Sequence, residues 1–380
     1  MSRVILGVIG LLAIGFMLAN RMDSQDAETA PARFLSDVLS DSAGSQDYDH
    51  ASPDRTILFP EDHGAHESFR HEWWYFTGNL KSKEGREFGY QLTFFRFANA
   101  SRSEIQNAWN NDQTWMAHLA VSDIESERFF FEQDMSRQSL GLAGAKIQPF
   151  RVWLHNWHAT ESEPFEPDRL ALDLSAHGDG FSIDLSVKSE TAPVLQGENG
   201  YSRKSHSGKS ASHYYSYPDM ETFGQIRIDG ERFEVLGTTW MDREWSSALL
   251  QAGQIGWDWF ALHLDNGKKI MAFRIRQEQG NAYRHAVLIG PKQSKIPLDV
   301  IEMRPTRNWT SPETGVEYPV GWKLGLQSEH ERIALEVDSL MPNQEMNLLF
   351  RYYEGAVQVH GRSGGEKVTG RGYMELTGYN

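Results

Sequence analysis

Hydrophobic positions follow two patterns along the chain. Behind Met1-Ser2-Arg3, Val4–Ala19 is an unbroken apolar and glycine run of 16 residues, roughly 24 Å as a helix against a hydrocarbon core of about 30 Å. Its place at the extreme terminus behind a positive charge makes residues 1–22 a signal peptide or membrane anchor. No small-x-small cleavage site follows in "NRMDSQDA", so an uncleaved anchor is the favoured form. From Met22 to His50 the chain carries seven acidic residues against the single basic Arg33, and residues 23–56 are read as an acidic flexible linker.

After residue 56 the pattern changes to runs of β-formers: "EFGYQLTFFRF", "MAHLAVSD", "RLALDLSAHGDGFSIDLSV", "WFALHLDNGKKIMAFRIR" and "LLFRYYEGAVQVHG". Turn residues separate them. Gly178-Asp179-Gly180 and Asp265-Asn266-Gly267 predict tight hairpins, which need the positive φ that these residues tolerate. No long segment repeats every 3.6 residues, and no βαβ rhythm appears, so the fold class is all-β and antiparallel, barrels or sandwiches. One internal echo points to two units. "WWYFTGNL" (73–80) and "WDWFALHL" (257–264) match at their first, fourth and last positions and carry aromatic rings at the third. Each leads through a turn into an aromatic strand. An offset of domain size predicts two related β-domains in tandem, 57–250 and 251–380.

Composition agrees and excludes some partners. A chain of 380 residues exceeds the usual size of one core. Aromatic content of 12%, with 12 Trp, suits wide apolar interiors. A net charge of −15 with no Lys/Arg-rich run argues against nucleic acid. The chain has no Cys, which removes a lipid-modified Cys anchor, disulfides and thiolate metal sites.

Three stretches concentrate polar and aromatic groups. In "FPEDHGAHESFRHEWWYFTGNL" the histidines His63, His66 and His71 stand beside Asp62, Glu67 and Glu72. The spacing on a Pro/Gly-rich loop lacks the helical i, i+4 placement of the familiar zinc motif, so a hydrogen-bonded loop is favoured and no metal is assigned. In "SHYYSYP", His213, Tyr215 and Tyr217 share one face of an extended chain, as barrel wall or as a polar stripe in a pocket. In "TTWMDREWSS", alternation puts Trp240, Asp242 and Glu244 on one face and Met241, Arg243 and Trp245 on the other. An inward-facing Asp242 between an indole and a second carboxylate would hold its proton to a raised pH. The alternative is an ion pair of Asp242 or Glu244 with Arg243 or Arg274 at a barrel rim.

These stretches, together with "MAHLAVSD", "GWDWFALHLDNG" and "YYEGAVQVHGRSGGEKVTGRGYMELTGY", resemble in collinear order the family that unites AttH-like secreted proteins with carotenoid 1,2-hydratase (hydroxyneurosporene synthase). The resemblance spans roughly residues 57–380. It implies two tandem lipocalin-like antiparallel β-barrels after the N-terminal segment, and so decides for barrels. In the hydratase branch it implies cofactor-free addition of water to an isoprenoid C=C bond. Carried onto this chain, the catalytic positions are Asp242 as proton donor, with His213, Tyr215 and Trp240. Trp73, Tyr75, His118, Tyr217, Glu244, Trp257 and Asp258 are the candidate ligand-binding residues. Arg243 and the continuation Glu244-Trp245-Ser246 look more like the AttH branch. The leading expectation is therefore a periplasmic protein, anchored to the inner membrane by its N-terminal segment or secreted if that is cleaved. Its barrels would hold a long apolar ligand, isoprenoid or lipid-like, as a possible accessory to an ABC-type export system. A hydro-lyase is the alternative, and a secreted hydrolase built on the 59–72 histidines a weaker one.

Overall fold

Why the tryptophan-rich segments form strands buried on both sides becomes clear from how the two sheets meet. The computed structural model describes residues 48–98 and 112–380. The expected anchor and most of the expected linker lie outside them, and among the described residues no helix is long and apolar enough to cross a membrane. The last part of the expected linker packs against the fold. Tyr48 is buried, the Asp49 amide donates to the Ser68 carbonyl at 2.8 Å, and Ser247 Oγ donates to the Asp49 carbonyl. The acid-rich composition had hidden this short anchoring stretch.

Twenty-two strands among the described residues, β1 to β22 in chain order, form two antiparallel sheets. The first sheet has β1 (His71–Ser82) in its interior. On one side follow β2 (Glu87–Ala98), β3 (Gln113–Asp123) and β4 (Arg128–Arg137). On the other lie β13 (Glu231–Ala248), β12 (Ala211–Ile228), β9 (Phe181–Ser189) and β8 (Leu170–Gly178), then three shorter strands. The sheet curls until β4 packs on β8. The second sheet begins with β14 (Gln254–Leu264) and β15 (Lys269–Gln277). It runs to β19 (Arg332–Ser339), β21 (Arg351–Ser363) and β22 (Glu366–Thr377). β22 pairs back onto β14, and β19 pairs with β21, which closes the barrel. Both units thus join their first strand to their second and to their last. Both expected hairpins form, with Gly180 at φ 75° and Gly267 at φ 81°.

Alternation assigns each side chain to a layer. Trp74, Phe76, Phe94, Trp115 and Met241 fill the first barrel. Phe260, Trp322, Leu335 and Met374 fill the second. Each fully buried ring or aliphatic side chain contributes about 1.5–3 kcal/mol. A third core lies between the barrels, built from the outward faces of both: Tyr75, Tyr214 and Trp240 meet Trp259, Phe273 and Tyr373. The barrels approach closely there. A Cβ on Gly89 would stand 2.6 Å from the Cβ of Ala356, so glycine is required by the contact itself. Polar contacts pin the same interface, with Asn79 Nδ2 donating to the Gly372 carbonyl at 3.0 Å and His118 Nδ1 lying 2.6 Å from the Tyr352 hydroxyl. Large side chains occupy much of both interiors, and an apolar cavity lies between the barrels.

Candidate functional site

From Trp240 onward, strand β13 has no solvent face. Its odd positions Met241, Arg243 and Trp245 turn into the first barrel, and its even positions Trp240, Asp242 and Glu244 turn toward the second. The predicted pairing of faces holds, but Asp242 points out of its own barrel rather than in. A cavity of about 60 Å³ opens at this junction. Trp73, Tyr75, Phe95 and Tyr214 wall it from the first barrel, and Trp257, Trp259, Phe273 and Ile275 from the second. Four polar side chains reach into it: Lys204, Asp242, Glu244 and Glu375.

Asp242 stands directly opposite Ser216 on β12 and Tyr75 on β1. Its Oδ1 accepts from Ser216 Oγ at 2.5 Å and Trp240 Nε1 at 2.7 Å, and its Oδ2 meets the Tyr214 hydroxyl at 2.6 Å. Tyr214 in turn accepts from Trp259 Nε1 at 3.2 Å. Burial pushes the Asp242 carboxyl up to about 7; the hydrogen bonds from Ser216, Tyr214 and Trp240 oppose the shift and the charge of Glu244 adds to it. Such a carboxyl holds a transferable proton near neutrality, and its anion has donors already in place. Glu244 is paired with Lys204 Nζ at 2.7 Å, and that ammonium also lies 5.0 Å from the Tyr214 ring and 4.6 Å from the Phe273 ring. Neither acid pairs with Arg243 or Arg274.

The opposite face of the same strand is held by ion pairs. Glu72 forms ion pairs with both Arg96 and Arg243, all three fully buried. Arg243 lies 3.8 Å over the Trp74 ring. His66 stacks on Trp245 at 3.9 Å between centroids, and its ring nitrogens contact Asp62 at 2.8 Å and Glu72 at 3.1 Å. Burial raises Glu72, but Arg96 and Arg243 outweigh it and hold the carboxyl well below its usual range. This cluster fills the end of the first barrel. The 59–72 histidines therefore have separate structural partners: His63 Nδ1 lies 2.6 Å from the Tyr215 hydroxyl, and His71 is buried near Phe97. Among the described residues no group of three or more His, Asp or Glu side chains is arranged to hold a metal.

The structure brings together Asp242, Trp240, Glu244, Trp73, Tyr75 and Trp257. It separates His213, Tyr215 and Tyr217 from them, because these odd positions of β12 turn inward while Tyr214 and Ser216 turn to the cavity. His213 accepts from the Ser52 amide at 3.4 Å and is pushed down to about 4 by burial, with Arg55 and His66 adding. His118 is neutral as well, pushed down to about 3 by burial at the interface. Asp258 turns into the second barrel, where it accepts from the Tyr379 hydroxyl at 2.6 Å and pairs with Arg274. Sequence reading missed Tyr214, Ser216, Lys204, Trp259 and Glu375. Tyr214 and Ser216 were within reach of it, since they alternate with the histidine row that was chosen.

The profile of the AttH-like family matches residues 50–379. The crystal structure of an AttH from Nitrosomonas europaea superposes with a TM-score of 0.74 at 33% identity, over 87% of this chain and 100% of that one. Kievitone hydratase from Nectria haematococca shares the fold, with a TM-score of 0.65 at 18% identity over 89% of this chain and 96% of its own. Kievitone hydratase from Fusarium solani subsp. phaseoli is 24% identical over 179 residues, 44% of this chain and 50% of that protein. The chain spans about half the length of that curated relative. With the family profile covering nearly every described residue of two lipocalin-like barrels, the chain belongs to the AttH-like family.

Proposed function

We propose that this protein is a cofactor-independent hydro-lyase that adds water to a C=C bond of an apolar, isoprenoid-type substrate. The observation that carries the reading is Asp242: a carboxyl kept neutral to about pH 7 in an aromatic cavity, with three donors ready for its anion. The likeness to kievitone hydratase supports it. In the reaction the Asp242 O–H bond breaks, the π pair of the alkene takes the proton to its less substituted carbon, and a tertiary cation forms. The indole faces of Trp73, Trp257 and Trp259 stabilise that cation. A water lone pair then forms the C–O bond, and the water's surplus proton passes to a carboxylate of the cavity. Ser216, Tyr214 and Trp240 stabilise the Asp242 carboxylate as it develops, in the manner of an oxyanion hole.

The test is Asp242→Asn assayed with a panel of acyclic isoprenoids. Hydration should fall by roughly 10²–10⁴-fold, the usual contribution of a positioned general acid, while the thermal midpoint does not fall. The apolar walls also favour a second reading, a carrier of a long apolar ligand without turnover. That reading stands if wild type retains such a ligand and hydrates none of the panel, and if Asp242→Asn retains it equally well. As part of either reading we propose that Val4–Ala19 tethers the barrels to the periplasmic face of a membrane, in reach of an ABC-type exporter. A reporter fused to residues 1–56 should then fractionate with membranes; a soluble, shortened product would count against it.

A further inference from the structure

The second barrel brings its own carboxyls to the cavity. On its outward face Trp259, Glu375 and Glu354 lie side by side on β14, β22 and β21, with Glu375 directly opposite both neighbours. Glu375 lines the cavity. Glu354 lies behind it, and its Oε2 accepts from the Tyr75 hydroxyl at 2.8 Å. Tyr75 is the residue directly opposite Asp242 on the first barrel. One hydrogen bond thus joins the row that carries Asp242 to the row that carries Glu375. The ion-paired cluster inside the first barrel has nothing comparable, since each of its carboxylates already faces a guanidinium.

We propose that Glu375 is a second proton-exchanging carboxyl of the cavity, on the wall opposite Asp242, and that in hydration it takes the proton the attacking water gives up. The second half rests on the hydro-lyase reading; the first does not. The electron count closes: Asp242 loses a proton to carbon, water loses one to Glu375 Oε, and a net transfer from Glu375 back to Asp242 resets the pair. The groups facing Glu375 are Asp242 and Glu244 from β13, Lys204 from the segment before β12, Tyr214 from β12, Tyr75 from β1 and Glu354 from β21. Burial pushes Glu375 up to about 8; a hydrogen bond from Trp257 opposes the shift, Glu244 and Asp242 add to it, and Lys204 opposes it. Glu354 is raised by burial and by Glu375. Asp242 is the stronger acid of the facing pair and Glu375 the stronger base, which suits each to its step. The two carboxyls titrate as a coupled pair, so the limbs of any pH profile belong to the pair.

Two measurements on the full chain test this. The first is the pH profile of hydration. Wild type should be bell-shaped, with limbs near 7 and 8, and Glu375→Gln should lose on the order of 10²-fold and turn the bell into a single limb that falls as pH rises through about 7. A single limb in wild type, or an unchanged bell in E375Q, overturns the proposal; the wild-type profile decides even where the Gln variant does not fold. The second needs no turnover. Dodecyltrimethylammonium below its micellar concentration places a fixed positive charge in the cavity, and calorimetry in two buffers of different ionisation enthalpy counts the protons released. At pH 7.5 wild type should release protons and E375Q measurably fewer. Hydration absent from wild type would remove the hydro-lyase reading, and this count then decides Glu375 alone: reduced release in E375Q supports it, equal release overturns it.

Discussion

Two buried clusters back onto each other across strand β13, one residue apart in sequence and opposite in character. At Arg243 the buried acid is paired, Glu72 being shared between two guanidiniums. At Asp242 the carboxyls outnumber the single Lys204, and aromatic walls replace counter-ions. Desolvation acts on both. Where ion pairs answer it, the acid is driven down and the cluster is structural; where they do not, the acid is driven up and holds a proton to deliver. A buried charge is thus a poor guide to function until its partners are counted.

Breaking the ion-paired side should have the largest effect on stability. Glu72→Gln leaves Arg96 and Arg243 without their shared acceptor, and denaturant midpoints should show a loss of about 3–5 kcal/mol. Next is the pH dependence, which should run in opposite directions on the two faces. Asp62, for which burial is outweighed by hydrogen bonds from His66 and Leu58 and by the charges of His66 and Arg55, lies at about 2. Its folded value is below the unfolded one, so its contribution is present above pH 3.8 and lost as pH falls through about 2. Asp242 is the reverse case. Its contribution is present below pH 3.8 and lost as pH rises through about 7. Above pH 7, Asp242→Asn should therefore be more stable than wild type, by up to about 4 kcal/mol, while Glu72→Gln stays destabilised throughout. Thermal scans from about pH 1 to pH 9 read both, and an Asn variant that melts earlier than wild type at pH 8 would place Asp242 with the structural cluster. Smaller effects sharpen the contrast. Lys204→Met removes the ammonium that opposes the upward shift of Glu375, so the upper limb of the pH profile should move higher. The smallest is Tyr75→Phe, which deletes one donor to Glu354 and should lower stability by about 1 kcal/mol without changing the lower limb.

Much of this was legible in the sequence. Alternation located the strands, turn residues the hairpins, and the echo of residues 73–80 at 257–264 the two units. That echo marks the cavity too, because Trp73 and Tyr75 wall it from one side as Trp257 and Trp259 do from the other. What alternation cannot assign is which face of β12 and β13 looks inward, since both faces are buried and both carry rings and charges. The choice of His213, Tyr215 and Tyr217 over Tyr214 and Ser216 went astray at that ambiguity. Lys204 lies in a Ser/Gly-rich segment with no pattern, and Glu375 is a lone acid in "GYMELTGY". Their significance comes from partners more than a strand away in sequence, which only the meeting of two sheets supplies.

The pairing of first strand with last in each barrel has a consequence for the order of assembly. β1 waits for β13, and β14 waits for β22, so neither barrel closes until its final strand has left the ribosome. Contacts of such long range are slow to form. Residue 242 is synthesised well before residue 375, and at 5–20 residues per second the interval is roughly ten seconds. During it, the outward face of the first barrel, with Tyr75, Tyr214 and Trp240, has no partner. A nascent chain paused there carries the acid of the site without the opposing wall. It also exposes an aromatic face, and transiently exposed apolar surface of this kind favours aggregation until the second barrel covers it.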